Sequence, residues 1–304
     1  MVYTSKLSLE NRIIPKFIKR INPKNKLFLR LVLFLVFKER GAIRNSYGSI
    51  MSPKEIDIQR SVKLEKRILY FKELIQPVVM NKKDLRRYGS VADGGYVLSK
   101  SAVKNSAFLI SGGIELNNEF EVELAKLGIN GIQIDNSIDA PPVLHKNLKF
   151  VKATLGNGEE VDINKLVDDF PVKQSGILKL DIEGAEYSVL HEIKSFKRYN
   201  AIVMEFHGLH RIASDDFWLI FEKILTKLQK EHQVIYISPN NCCPFTIIGG
   251  SAIPNVMEIT WVKKSLIIGT KFKKIDTLHP FYMASNRPSN ANLDIAHLFP
   301  RLTV

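Results

Sequence analysis

The chain has 304 residues, 45% hydrophobic and 25% charged, enough for a full α/β core with an extension beside it. Its two cysteines are adjacent, Cys242 and Cys243, which excludes a disulfide framework and offers no metal-ligand spacing, so a reducing, cytoplasmic setting is expected. The net charge of +13 sits at one end: residues 1–88 hold 21 Lys and Arg against 7 Asp and Glu, and the remaining 216 hold 23 against 24.

A basic arm on a near-neutral body points to an anionic partner such as lipid headgroups, an acidic glycan or nucleic acid, or else to a solvated helical arm. Residues 1–26 are polar and broken by Pro15 and Pro23. The apolar run Leu27–Phe37 has eleven residues with Arg30 inside it. A bilayer-spanning helix needs about 20, so this run does not span. Two readings stand. It lies in a membrane interface with Lys24, Lys26, Lys38 and Arg40 on anionic headgroups, or it packs on protein. Peripheral membrane contact through residues 1–44 is one expectation, and no small-residue cleavage site marks a secretory signal. Residues 41–60 read as a linker holding Gly41, Gly48 and Pro53.

A helical pattern follows from Ile58 to Ile75, with Val62, Leu69 and Leu74 among its apolar positions, and stops at Pro77. Asp93-Gly94-Gly95 before Tyr96-Val97-Leu98 is a turn entering a strand. The strand Ala107–Ser111 then runs into Gly112-Gly113, and a helix from about Asn117 to Leu127 should bury Leu116, Phe120, Leu124 and Leu127. Glycines between strand and helix let a ligand approach the backbone, and the helix start offers free N–H groups. A second strand ends at Asp135, 22 residues after Gly113. Rossmann-like folds place a ribose-binding carboxylate about 20 residues after the glycine loop. Asp135 is therefore a candidate acceptor for ribose hydroxyls, or a turn former before Asn136-Ser137. A third strand, Leu148–Ala153, leads to Thr154-Leu155-Gly156-Asn157, where adenine would sit, and a short helix runs from Ile163 to Phe170.

Next, Ile177-Leu178-Lys179-Leu180 ends in Asp181-Ile182-Glu183-Gly184 and passes into a helix, Ala185–Lys197, with Val189, Leu190, Ile193 and Phe196 on one face. A shorter echo, Ile202-Val203-Met204, ends in Glu205-Phe206-His207. Two strands delivering carboxylates to the ligand edge of an open sheet predict an active site there. Ser214 is a candidate N-cap for a helix from Asp215 to Glu231, with acids at its positive end. Strands at Gln233–Asn241 and Ile253–Val262 complete the pattern.

The stretch Leu178-Lys179-Leu180-Asp181-Ile182-Glu183-Gly184-Ala185-Glu186 resembles the K-[ILM]-D-[VI]-E-G-A-E signature of FkbM-type methyltransferases. Arg87-Tyr88-Gly89 with Asp93-Gly94-Gly95-Tyr96, and the late segments Ser238-Pro239-Asn240-Asn241 and Ile253–Thr260, are also similar to segments of that family. The resemblance covers about residues 85–264. It implies a Rossmann-like seven-stranded fold, S-adenosylmethionine (SAM) as cofactor, and a sugar-containing or other small-molecule acceptor. It also implies a segment holding Arg87, Asp93 and Gly94 that folds over the cofactor. The chain departs from the family at Leu109-Ile110-Ser111, where an acid usually precedes the first glycine, and at Ser238, where histidine is usual. Glu115 is the substitute expected at the methionine amine. On this reading residues 1–84 are a basic, mainly helical extension, 85–264 the methyltransferase domain and 265–304 a tail.

The expected cofactor site is Gly112, Gly113, Glu115 and Asp135, and the expected catalytic groups are Asp181, Glu205 and His207. Methyl transfer displaces a neutral leaving group, so the protein must align the nucleophile and remove its proton. His207, with an ordinary pKa near ~6.5, is the expected base, with Glu205 orienting it. Alternatively Asp181 and Glu205, with His207 or Asn240, hold Mg²⁺ through hard ligands. Structural roles compete: a hydrogen-bonded strand-end histidine, and Glu183 and Glu186 as helix-start acids. No D/N-P-P-Y/F/W motif or placed cysteine supports nucleic-acid chemistry, although nitrogen or nucleic-acid methylation stays open. So does a non-catalytic binding module. A NAD-dependent dehydrogenase would leave the Asp181–Glu186 signature without a role.

Overall fold

The computed structural model describes residues 61–78, 80–156, 161–240, 243 and 245–267. The Leu27–Phe37 run, the linker and most of the expected tail lie outside the described residues. Among the described residues, no helix is long and apolar enough to cross a membrane.

The strand entering the glycine pair is β3 (Phe108–Gly112), numbered after a hairpin of β1 (Leu85–Gly89) and β2 (Gly95–Ser99). It is flanked by β4 (Asn130–Ile134) and then β5 (Leu148–Val151) on one side, and by β6 (Gly176–Leu180) and β7 (Tyr199–His207) on the other. All five run parallel. Beyond β7 lie β11 (Val256–Lys263), antiparallel to both its neighbours, and β8 (His232–Pro239). The sheet thus has seven strands in the order β5-β4-β3-β6-β7-β11-β8. The order reverses between β3 and β6, where an open sheet of this kind leaves its crevice. This is the Rossmann-like architecture that the signature implied.

Strand alternation sorts the apolar residues into two cores, one per face. Phe108, Ile110, Leu178, Leu180, Ile202, Met204 and Phe206 point to one face. There α1 (Val62–Leu74), α5 (Glu186–Glu192) and α6 (Asp215–Glu231) cover them. Leu109, Ile177, Ala201 and Val203 point the other way, under the hairpin, α2 (Lys100–Lys104) and α3 (Glu119–Lys126). A short α4 (Ile163–Asp168) follows β5. The second face turns polar toward the strand ends, where Ser111, Lys179, Glu205 and Glu258 are all buried.

Several boundaries differ from the sequence expectation. The helix of residues 62–74 belongs to the core, not the extension: Leu64, Ile68 and Phe71 are buried, Phe71 against Phe221, and Arg67 is fixed by the carbonyls of Ile212, Ala213 and Ser214. Its Val62 and Leu69 face solvent. Helix α3 is shorter than expected, which leaves Leu116 and Leu127 exposed. Ser214 is the N-cap of α6 by position, yet its side chain makes no capping bond. Asp215 instead pairs with Lys63 and Arg67. The expected strand 253–262 is broken at Asn255 into β10 (Ser251–Pro254) and β11, because Asn255 accepts from the Thr246 hydroxyl and the Leu209 N–H. Strand β9 (Phe245–Ile248) pairs with β10 as a hairpin.

Candidate active site

The cleft opens at the carboxyl ends of β3, β4 and β6. It holds about 170 Å³, is open to solvent, and is lined by Gly113, Glu115, Ile134, Asp135, Asn136, Ser137, Ala153, Thr154, Leu155, Asp181, Ile182, Glu183 and Ala185. Of the expected cofactor residues, Gly113, Glu115 and Asp135 line the cleft together with Asp181, Thr154 and Leu155, and Gly112 is not among the lining residues.

The glycine turn is shaped by the protein as much as by any ligand. Gly113 has φ of +73°, and a Cβ there would lie 1.6 Å from the Asp181 carbonyl oxygen. No side chain fits between the two strand ends. Two non-glycine residues at the cleft also adopt left-handed backbone, Glu115 at φ 42° and Glu183 at φ 52°. Such strain tends to gather at ligand sites. Burial, then the nearby Asp181, Glu183, Asp135 and Asp93, push the Glu115 carboxyl above its ordinary range.

Asp135 does two things at once. It lines the cleft, and its Oδ2 accepts from the N–H groups of Ile114 and Glu115, each at 2.8 Å. Its Oδ1 accepts from Ser137 N at 2.8 Å and from the Ser137 hydroxyl at 2.6 Å. Burial opposes its charge, but these donors prevail and its pKa is lowered. The turn-forming role expected as an alternative is thus present alongside the lining role. A ribose would have to share these oxygens or displace the Ser137 hydroxyl.

Asp181 is held from beneath. The Tyr96 hydroxyl, reaching in from β2, donates to its Oδ2 at 2.8 Å, and Lys179 Nζ lies 3.8 Å from the same oxygen. The Lys179 ammonium also donates to the Gly113 carbonyl and sits 5.4 Å from the Tyr96 ring centre. Glu121 on α3 accepts from the Ser111 hydroxyl at 2.5 Å. Burial raises the Glu121 pKa and the Lys179 charge partly offsets this. Ser111, at the family's acidic position, therefore points into this buried network and not into the cleft. Asp181 keeps Oδ1 for the open side, 4.0 Å from His207 Nε2.

His207 ends β7. Its Nδ1 is 2.9 Å from Oε1 of Glu186, which is fully buried and also receives the N–H groups of Ile182 and Gly184. Its Nε2 faces Glu183 at 3.6 Å, Glu205 at 3.8 Å and Asp181 at 4.0 Å. Burial alone would lower its pKa, but the Glu186 bond and the surrounding carboxylates raise it to about 9. Two sequence expectations are corrected here. The histidine is not at its ordinary pKa, because Glu186 bonds it and Asp181 and Glu183 lie beside it. And Glu186 orients it, whereas Glu205 accepts from Asn240 Nδ2 at 2.6 Å. Burial, then Asp181 and Glu258, hold the Glu205 carboxyl well above its usual range.

Ligand atoms of Asp181, Glu205 and His207 all lie within 4.8 Å of one another. Two hard oxygens and one imidazole nitrogen at that spacing suit a divalent cation. Arg87 braces its own turn through the carbonyls of Ser90 and Ala92. Asp93 is tied to the glycine loop, its carbonyl accepting from Asn117 Nδ2 at 3.0 Å, and Gly94 packs against the same side chain. Sequence reasoning missed Tyr96, Lys179 and Glu186 as site residues. Each stood in a quoted motif, but nothing in the spacing said that a hairpin tyrosine would reach β6.

Residues 140–233 match the family described as the methyltransferase FkbM domain, the family that the signature suggested. The matched stretch includes the ends of β6 and β7. Comparison with curated protein sequences gave no match. Among solved structures, a Methanococcus jannaschii fibrillarin pre-rRNA processing protein is 9% identical with a TM-score of 0.33, over 54% of this chain and 69% of its own. A precorrin-6y C5,15-methyltransferase from Geobacter metallireducens GS-15 is 12% identical with a TM-score of 0.28, over 53% and 86%. An O-methyltransferase from Bacillus cereus in complex with SAH is 8% identical with a TM-score of 0.29, over 78% and 90%.

Proposed function

We propose that this protein is a SAM-dependent methyltransferase that methylates a hydroxyl, on a sugar-containing or related small-molecule acceptor. One observation carries the reading. The stretch matching the methyltransferase FkbM domain sets Asp181 in the lining of a cleft shared with Gly113 and Asp135, with ligand atoms of Asp181, Glu205 and His207 within 4.8 Å of one another.

SAM would supply an activated methyl group on a sulfonium centre. Asp135, with Ser137, would hold its ribose, Glu115 its amine, and Thr154 and Leu155 its adenine. The carboxylates of Asp181 and Glu183 make the cleft favourable for a cationic cofactor. On the acceptor side, His207 Nε2 removes the hydroxyl proton, while Glu186 fixes the ring and stabilises the imidazolium that results. Because the folded histidine holds its proton up to about pH 9, the base form grows as pH rises toward that value. The polar, acid-rich mouth suits an acceptor with several hydroxyls.

A second reading follows from the close spacing of Asp181, Glu205 and His207. A divalent cation such as Mg²⁺ held there would lower the pKa of the acceptor hydroxyl directly. The basic N-terminal arm is proposed as a peripheral contact with anionic membrane.

The test is methyl transfer from labelled SAM to a panel of glycosides, with and without EDTA. Transfer lost in His207→Gln, while SAM affinity is kept, supports the base assignment. Full turnover in that variant contradicts it. Loss with EDTA and recovery with Mg²⁺ selects the cation reading.

A further inference from the structure

Five arginines lie among the described residues, and four of them bond carbonyls or carboxylates through their guanidinium groups. Arg67 bonds three carbonyls and Asp215, Arg86 pairs with Glu123, Arg87 bonds two carbonyls, and Arg198 bonds the carbonyls of Val167, Phe170, Pro171 and Gln174. Arg211 differs. Its side chain makes no hydrogen bond or ion pair among the described residues, yet its guanidinium is held in place, 4.5 Å from the Phe217 ring centre and 5.8 Å from that of Tyr187. Stacking of this kind fixes the plane of the fork and leaves its N–H edge free.

The location gives this fork a role. Arg211 lies in the 3-10 turn Leu209–Ala213 that follows His207 directly, and its own N–H bonds the Gly208 carbonyl. Its stem passes over Gly208, where a Cβ would meet Arg211 Cδ at 3.4 Å. The hydroxyl of Tyr187, whose ring lies beside it, donates to the His207 carbonyl at 2.8 Å. The exposed guanidinium is thus braced on the ring whose hydroxyl is bonded to the proposed base.

We infer that Arg211 is a specificity-determining group that binds an anionic group, a carboxylate or a phosphate, on the acceptor. The inference rests on the methyl-transfer reading for the meaning of acceptor, but not for the anion contact itself. The cleft lining carries Glu115, Asp181 and Glu183, which disfavour an anion within it, so an acidic acceptor needs a separate cationic contact. Arg211 follows His207 by four residues, in the turn that leaves the end of β7, and supplies a cation at that strand end. A planar fork suits a carboxylate or phosphate edge better than a point charge does.

The test uses the full chain with arginine Nε–H resonances followed by NMR, and Arg211 identified by its loss in Arg211→Gln. The probes are methyl β-D-glucuronide, methyl α-D-glucoside 6-phosphate and, as the neutral control, methyl β-D-glucoside. A saturable shift of Arg211 with one or both anionic sugars, absent with the neutral one, is expected. The uronide and phosphate arms then say which anion is taken. Arg211→Gln should weaken that binding roughly tenfold or more, and Arg211→Lys should restore only part of it. An unmoved Arg211 overturns the inference, as does an equal drift of all exposed arginines, which is ionic screening only. SAM affinity is measured on the same samples. A responsive Arg211 without SAM binding refutes the methyltransferase reading alone, and SAM binding with a silent Arg211 refutes the anion contact alone.

Discussion

Glu186 holds His207. The fully buried carboxylate of the first lies 2.9 Å from Nδ1 of the second and also receives the N–H groups of Ile182 and Gly184. One side chain thus couples the turn after β6 to the end of β7, so Asp181 and His207 are placed relative to each other by a shared partner. The other carboxylate oxygen of Glu186 is buried without a hydrogen bond.

Removing that partner should change the histidine more than the fold around the cofactor. In Glu186→Gln the His207 pKa should fall from about 9 toward its ordinary value, as read by NMR titration of the ring protons. SAM affinity should change by less than about threefold, since Glu186 lies outside the cleft lining. An unchanged His207 pKa would show that Asp181, Glu183 and Glu205 alone set it.

The same proton appears in stability. His207 binds its proton more tightly folded than unfolded, so its contribution is complete below about pH 6.5 and fades as pH rises toward the folded value of about 9. Glu205, also raised, adds a slope of the same sign that begins in the ordinary carboxylate range. Urea unfolding should therefore show stability declining between about pH 6.5 and pH 9, by at most about 3 kcal/mol from this histidine. His207→Gln should flatten that slope, and a slope that survives the substitution would have another origin.

Gly113→Ala brings a methyl group into the Asp181 carbonyl at a backbone angle of +73°. The strand ends must separate, so a loss of about 3 kcal/mol or more is expected together with loss of SAM binding. Gly128→Ala is the control: its φ of +91° is also left-handed, but its Cβ would meet nothing within 4 Å. It should carry the backbone cost of about 1 kcal/mol and keep the cofactor. Equal effects at the two sites would remove the close-approach argument.

Tyr96→Phe deletes one hydrogen bond to Asp181 and keeps the ring against Phe120, which lies 5.1 Å away edge-on. About 1–2 kcal/mol of stability should be lost, with SAM affinity little changed. Lys179→Met is more severe because it leaves Glu121 and Asp181 without their buried counter-charge. About 3–5 kcal/mol is expected there, and weaker SAM binding, because the Gly113 carbonyl loses its donor too. Thermal unfolding and calorimetry of the two variants separate these outcomes.

The sheet was legible because its strands are apolar runs with acids at one end, and the helices because their apolar faces recur at helical spacing. The helix Asp215–Glu231 emerged with the boundaries its pattern gave. Less legible were breaks made by single side chains, such as Asn255 interrupting β10 and β11. At the site, the acids Asp135, Asp181 and Glu205 could be read from strand ends, since only the register of parallel strands was needed to gather them. Their partners could not. Tyr96, Lys179 and Glu121 converge from β2, β6 and α3, and nothing along the chain encodes that meeting. The raised pKa of His207 was hidden for the same reason, since Glu186, Asp181 and Glu183 in the turn after β6 set it.

The most direct measurement is calorimetric titration of SAM, and separately of NAD, into the purified full chain and Asp135→Ala. The account predicts saturable SAM binding, no NAD binding, and loss of the SAM signal in the variant while its thermal transition persists. A folded wild-type protein that gives no heat with SAM would contradict the central claim, and the fold would then have to be read as a binding module.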